Sequence, residues 1–252
     1  MQKPPSRAKG GSSKVEADVF GGHITGDFLV TMNEDEEGID AERVALVVKD
    51  VATGFIYVYP SARRNTESII LTMKHFTGPA DKVGIFYSDN APELVSAMKI
   101  LQWRHTISKD YISKSNAVAE RLVRSVLEGS RVNLLQSGLH HQYRPYAARH
   151  WCFMRNVFQI GEEITPWKLR FGENFKGPKI FFGCQIDYWT GPRKRPKSDL
   201  KYKPTSKPGI FLGYVVRPGF DFRTEFIVAS LQDMRIASYE DKVNVIRVIK
   251  VK

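Results

Sequence analysis

In the first half of the chain, apolar residues either alternate with polar ones or follow one another in short runs. Residues 24–32, 43–51 and 55–59 are three such runs joined by short polar segments, a pattern that predicts an antiparallel meander. Residues 83–87 and 103–107 are two further strand-like runs. The first three runs therefore predict neighbouring strands, and the last two must be reached by longer connections.

The segments that connect these strands have apolar residues at helical spacing. Residues 66–77, 92–100 and 116–136 each carry an apolar stripe at intervals of three and four positions. The resulting order is β-β-β-α-β-α-β-α, and right-handed crossovers then bring the last two strands in parallel to the first. The pattern predicts an α/β fold with a five-stranded mixed sheet, strand order 3-2-1-4-5 and helices on both faces.

The pattern changes after Gly138. Two helical segments, 146–158 and 165–171, are followed by β-runs separated by Gly and Pro, which predict a small β-barrel. We expect a basic disordered leader over 1–19, an α/β core domain over 20–175 and a small β domain over 176–252. The four β-runs are residues 179–189, 209–216, 223–231 and 243–251.

Three acidic residues stand in elements that can meet. Asp27 lies in the first strand, Asp89 follows the fourth strand, and Glu120 opens the long helix. Carboxylates on two neighbouring strands and a crossing helix can hold two divalent cations, which clamp the attacking and leaving oxygens of a phosphodiester. Each residue has a plainer alternative: an exposed strand position for Asp27, a turn or helix cap for Asp89, and a surface salt bridge to Arg124 for Glu120.

Charge points to a polyanionic partner. The net charge is +11, and residues 191–208 contribute seven Lys and Arg against one Asp. Within that loop, Arg193, Lys194, Arg195 and Lys197 are candidates for DNA contact or for a nuclear localisation signal. Lys114, Asn116 and Arg121 flank the third carboxylate and are candidate DNA contacts as well. We expect no membrane partner, because no run of 18 apolar residues occurs.

Several motifs resemble the integrases of copia-type LTR retrotransposons, relatives of the retroviral integrases. The segment 88–93, Ser-Asp-Asn-Ala-Pro-Glu, is similar to their second-carboxylate motif, and 115–121, Ser-Asn-Ala-Val-Ala-Glu-Arg, to their third. The segment 165–172, Thr-Pro-Trp-Lys-Leu-Arg-Phe-Gly, is similar to a downstream Thr-Pro motif. Residues 182–184 and 209–214 resemble the small SH3-like barrel that follows the core in copia-type polyproteins.

The resemblance implies an RNase H-like core with Asp27, Asp89 and Glu120 as the catalytic and metal-binding triad. It implies two Mg²⁺ or Mn²⁺ ions as cofactors, and double-stranded DNA, both element ends and target, as partner. Cleavage of DNA 3′ ends, strand transfer and a homo-oligomeric enzyme would follow. We expect a nuclear location, with a cytoplasmic particle before integration.

Two other functions stay open. One is a nuclease of the same fold that does not transfer strands, and the other is a catalytically silent integrase relic that only binds DNA. Because no His-His-Cys-Cys zinc module precedes the core, we expect a piece of a longer polyprotein or a degraded copy.

Overall fold

A computed structural model describes most of the chain. The described residues are 18–31, 37–79, 81–107, 113–158, 164–189, 204–237 and 243–251, and the side chains of 113–119 are outside the description. The predicted leader lies outside the described residues up to position 17. Most of the basic loop 191–208, including Arg193, Lys194, Arg195 and Lys197, lies outside them too.

The first sheet has the predicted strand order, β3-β2-β1-β4-β5. β1 pairs antiparallel with β2, and β2 with β3, whereas β4 lies parallel to β1 and β5 parallel to β4. The meander followed by crossovers is therefore confirmed. The strands are β1 (His23–Val30), β2 (Val44–Asp50), β3 (Ile56–Ser61), β4 (Ile85–Ser88) and β5 (His105–Ile107).

Helices cover both faces of this sheet, and their ends carry recognisable caps. The Asn65 side chain accepts from the Ser68 N–H at the start of the first helix, and the Thr165 hydroxyl accepts from the Lys168 N–H at the start of the fifth. Gly172 ends the fifth helix at a φ of 76°, where glycine avoids the strain that a side chain would bring. The helices are α1 (Thr66–Thr77), α2 (Pro92–Leu101), α3 (Ser113–Ser137), α4 (Arg144–Val157) and α5 (Pro166–Phe171).

The helix α3 packs on the face of β1 and β2 that carries Asp27. Side chains alternate along a strand, so Asp27 shares its face with Leu29, and Leu29 lines one small apolar cavity together with Val126 of α3. α1 lies on the opposite face, where His75 contacts Tyr59 of β3. α4 runs beside α3 and along the free edge of β3, where Asn156 hydrogen-bonds the backbone of Ile56.

A second, four-stranded antiparallel sheet follows in the order β6-β7-β8-β9. It curls until its ends meet, since Tyr188 of the first strand bridges Val251 and the Trp189 N–H donates to the Lys250 carbonyl at 3.2 Å. Irregular register between Phe211 and Gly213 bends the long second strand. This closure fits the predicted small SH3-like barrel. The strands are β6 (Gln185–Trp189), β7 (Ser206–Val216), β8 (Phe222–Ser230) and β9 (Val245–Val248).

A short helix, α6 (Leu231–Ile236), follows β8 and was not expected from the sequence. The Ser230 hydroxyl accepts from the Asp233 N–H at its first turn, which supplies the cap.

The two sheets share one apolar core. Phe153 of α4 stacks on Tyr214 of β7 with ring centroids 4.1 Å apart, and Phe220, in the turn between β7 and β8, contacts Phe55 at 4.8 Å. The His75 Nε2 atom lies 3.0 Å from the Val216 carbonyl oxygen. The predicted boundary near residue 175 remains a prediction, and the core is continuous across it.

Candidate functional site

The pairing of β1 with β4 brings the two predicted aspartates to the same end of neighbouring parallel strands. Thr25 lies opposite Tyr87 in this register. Two further residues along each strand lead to Asp27 and to Asp89, which follows directly after the last residue of β4. Side chains at adjacent parallel strand ends are held at one edge, so both carboxylates occupy the same corner of the sheet.

Glu120 lies on α3, which packs against β1. It lies near the N-terminal end of the helix and is solvent-exposed. Within the described part of the chain no ion pair joins Glu120 to Arg124, so the salt bridge considered for it from sequence is not formed. Glu120 instead acts electrostatically on Asp27.

The pKa of Asp27 is raised above its ordinary value of 3.8, chiefly because the half-buried carboxyl group loses hydration. A hydrogen bond from the Phe28 N–H to Oδ1, at 2.8 Å, favours the carboxylate and opposes this effect. The negative charges of Asp89 and Glu120 then raise the pKa of Asp27 further, and Arg64 lowers it. The three predicted acids thus form a region of mutual repulsion that a cation would relieve.

Backbone and side-chain contacts orient Asp89. The Ala91 N–H donates to its Oδ1 at 3.3 Å, and the Ser88 hydroxyl, which donates to the Asp89 carbonyl, lies 2.9 Å from His105 Nε2. Burial lowers the pKa of His105, against the opposing effect of the Asp89 charge. His105 was missed from sequence; its place on the strand next to β4 was the signal that could have indicated it.

Arg64 is the second residue that sequence reasoning missed. Its guanidinium lies 4.5 Å from the centroid of the Phe28 ring, and its charge acts on Asp27. Nothing in the sequence marked it, since it follows the third strand in a polar segment with no motif. It supplies a positive charge beside the acidic corner.

The three predicted ligands have the right chemistry for the implied divalent cations. All are carboxylates, which are the oxygen donors that Mg²⁺ prefers. Among the residues that the structure describes, however, no three His, Cys, Asp or Glu side chains stand close enough together to hold one ion. The three carboxylates are suitable ligands for Mg²⁺, and their side chains would have to move closer together to bind it.

The predicted DNA contacts are described only in part. Arg121 is exposed on α3 and lines a cleft on the same side of the sheet as Asp27. Lys114 and Asn116 belong to the first turns of α3, but their side chains lie outside the described residues. The four candidates of the basic loop also lie outside them. No helix in the described ranges is both long and apolar enough to cross a membrane.

No protein-family model matches the chain, and no curated protein matches its sequence. Solved structures do show similarity. A chain of the simian T-cell lymphotropic virus intasome, solved in complex with PP2A regulatory subunit B56 gamma, matches 100% of this chain and 82% of its own length, with 14% identity and a TM-score of 0.50. At that identity the similarity concerns the fold alone, and it agrees with the predicted RNase H-like fold.

Two isolated integrase cores match a smaller part. The catalytic core domain of BIV integrase covers 60% of this chain and 93% of its own, at 15% identity and a TM-score of 0.43. The HTLV-2 integrase catalytic core domain, solved in complex with magnesium in a trimeric form, covers 60% and 97%, at 15% identity and a TM-score of 0.46. These scores are too low to add to the argument on the fold.

Proposed function

We propose that this protein is a metal-dependent polynucleotidyl transferase of the copia-type integrase kind, which processes DNA 3′ ends and joins them to target DNA. One observation carries the proposal: Asp27 and Asp89 lie at the matching ends of paired parallel strands, and the charges of Asp89 and Glu120 both raise the pKa of Asp27. These two facts support a site in which two strands and a helix contribute the three carboxylates, the arrangement that two-metal phosphoryl transfer uses.

In this proposal Asp27 is the ligand shared by two Mg²⁺ or Mn²⁺ ions, with Asp89 on one and Glu120 on the other. When bound, such a pair activates the attacking oxygen and stabilises the leaving 3′ oxygen. The Phe28 N–H fixes one oxygen of Asp27 and leaves the other for a ligand. The Ala91 N–H orients Asp89 in the same way.

The cofactor and partners of the proposal follow from the site and the charge. Three carboxylates favour magnesium, because this ion prefers oxygen ligands. Double-stranded DNA and a homo-oligomer belong to the proposal because the resemblance to integrases implies them. The net charge of +11 supports a nucleic acid partner independently of that resemblance. A nuclear location belongs to the proposal on functional grounds.

A metal-dependent end-joining assay with the full chain tests the proposal. We expect Glu120→Gln to reduce joining more than about 100-fold, because even the partners that merely orient metal ligands contribute about 10–100-fold. Glu128→Gln is the matched control, since Glu128 is exposed on the same helix two turns later. DNA affinity should be unchanged in both variants.

The alternatives give different results in the same assay. Nicking without joining by the unmodified protein would identify a nuclease of this fold. DNA binding with neither nicking nor joining, in Mg²⁺ and in Mn²⁺, would identify a silent relic and overturn the proposed activity. Equal joining by Glu120→Gln and Glu128→Gln would remove Glu120 from the site.

A further inference from the structure

A cleft of about 560 Å³ opens on the α3 face of the first sheet. Its walls come from β2, from the turn into β3, from α3 and α4, and from the start of α5. It is a different feature from the acidic corner, and none of the described residues that line it is acidic. The residues that matter for its chemistry are Lys49, Arg121, Ser125, Trp151 and Arg155.

Three cations from three separate elements face this cleft: Lys49 from β2, Arg121 from α3 and Arg155 from α4. In the ranges that the structure describes, neither Lys49 nor Arg155 forms an ion pair with a carboxylate. Two cations held on rigid elements without an internal counter-ion favour an external anion, since no neighbour cancels the attraction that they contribute. The cleft is therefore built to receive several negative charges at once.

One wall of the cleft is rigid for a specific reason. Trp151 packs directly on α3 at Gly129, where an added Cβ would lie only 2.1 Å from the indole nitrogen. The absence of a side chain at 129 thus lets the indole lie against the helix backbone. The wall holds α4, and with it Arg155, at a set distance from Arg121.

The cleft lies beside the acidic corner, on the same face of the sheet. Asp27 pairs with Val47 and Thr25 with Lys49, so Asp27 and Lys49 lie on the same face of the sheet. Two residues along a strand span about 7 Å, which is the offset between them along the strand direction. On α3, Arg121 directly follows Glu120. A chain of phosphates lying in the cleft would therefore lead to the carboxylates.

We propose that this cleft binds consecutive phosphates of the double-stranded DNA substrate and directs the strand to the acidic corner. The inference rests on the proposed function, because it takes DNA as the substrate, and it adds Lys49 and Arg155 as phosphate-binding residues. Phosphate contacts fix the position of a strand without reading its sequence, which is what an enzyme needs beside its reacting centre.

The test measures DNA binding in EDTA, so that catalysis plays no part. Affinity of the full chain for a labelled duplex is measured by fluorescence anisotropy across a salt series from about 50 to about 200 mM, the range over which phosphate contacts dominate the change in affinity. We expect Lys49→Gln with Arg155→Gln to weaken binding at least about tenfold. The log–log salt slope should flatten by about 0.9 for each phosphate that the variant no longer neutralises. The effect should be the same for unrelated duplex sequences.

The matched control is Lys74→Gln with Lys99→Gln, which removes the same charge from the exposed last turns of α1 and α2. Because these two lysines lie outside the cleft, that pair should change affinity by less than about twofold. The charge-preserving pair Lys49→Arg with Arg155→Lys should bind nearly as the unmodified protein does. Thermal unfolding of each variant identifies any that fails to fold; if the cleft pair does, the single variants Lys49→Gln and Arg155→Gln replace it, and each should weaken binding more than Lys74→Gln or Lys99→Gln.

Equal reductions of affinity in the cleft pair and the control pair would mean that only net charge matters, and would overturn the inference. So would a cleft variant that binds DNA normally but no longer binds an acidic peptide, since the partner would then be a protein. Binding is measured without metal, so it does not depend on catalysis. If the cleft pair weakens DNA binding as expected but the unmodified protein does not join DNA ends, only the proposed activity is refuted.

Discussion

The Asn156 side chain completes the free edge of the first sheet, and its removal has a calculable cost. β3 is an edge strand, and an edge strand leaves backbone groups unpaired. Asn156 is fully buried on α4; its Oδ1 accepts from the Ile56 N–H at 2.9 Å, and its Nδ2 donates to the Ile56 carbonyl at 2.7 Å. One amide thus satisfies both outward groups of one strand residue.

Asn156→Leu conserves size while it removes both partners. Each buried backbone group left without a hydrogen bond costs about 1–3 kcal/mol, so the two together cost about 2–6 kcal/mol. For a chain of this size each kcal/mol lowers Tm by roughly 2–4 °C. We therefore expect the melting temperature to fall by roughly 4–24 °C.

Urea and thermal unfolding followed by circular dichroism measure this destabilisation. Asn133→Leu is the comparison, because Asn133 is only partly buried: its Nδ2 donates to the Ala147 carbonyl at 2.9 Å and lies 3.3 Å from His150 Nδ1. It should cost about 1–2 kcal/mol. If Asn156→Leu costs no more than Asn133→Leu, the edge of β3 does not depend on this amide and the reasoning is wrong.

Three further results are expected. Asp27→Asn should abolish joining yet raise the stability of the folded state. The gain in stability should grow as pH rises above 3.8, because the raised pKa of Asp27 means that its ionisation destabilises the folded state. Mg²⁺ should raise the Tm of the unmodified protein and not that of this variant. Arg170→Met should lower the free energy of unfolding by about 3 kcal/mol, since the buried guanidinium donates to the Phe76 and Thr77 carbonyls and lies 3.7 Å from the Phe20 ring centroid. Arg223→Met, an exposed control, should lower it by less than about 1 kcal/mol. Neutralising Arg193, Lys194, Arg195 and Lys197 should weaken DNA binding regardless of sequence, and an unchanged salt slope would favour nuclear targeting instead.

Local sequence patterns predicted most of the fold. The spacing of apolar residues predicted the three-strand meander, the two crossovers and the β-rich C-terminal part, because period and chain order are properties of neighbouring residues. The short helix α6 was not predicted, because it depends on one serine cap after a strand and leaves no distinct periodic signal.

Part of the candidate site could be predicted from the sequence, and part required the structure. The strand positions of Asp27 and Asp89 followed from the chain pattern, and their adjacency followed from the crossover rule. The shared face of Asp27 and Lys49 also needed the register of β1 with β2. Arg64 and Arg155 could not be assigned from sequence, because an isolated polar residue is compatible with many surroundings.

By itself the sequence determined which elements form, in what order, and which of them carry the acidic residues, since these depend on interactions within a few turns or between successive strands. Only the tertiary structure decided what lies against them. The Asn156 amide meets Ile56 from 100 residues away, Phe220 of the second sheet enters the aromatic core of the first, and three cations from separate elements line one cleft. Such contacts arise because burial of the whole apolar surface selects one arrangement of the elements, and no local segment carries that information.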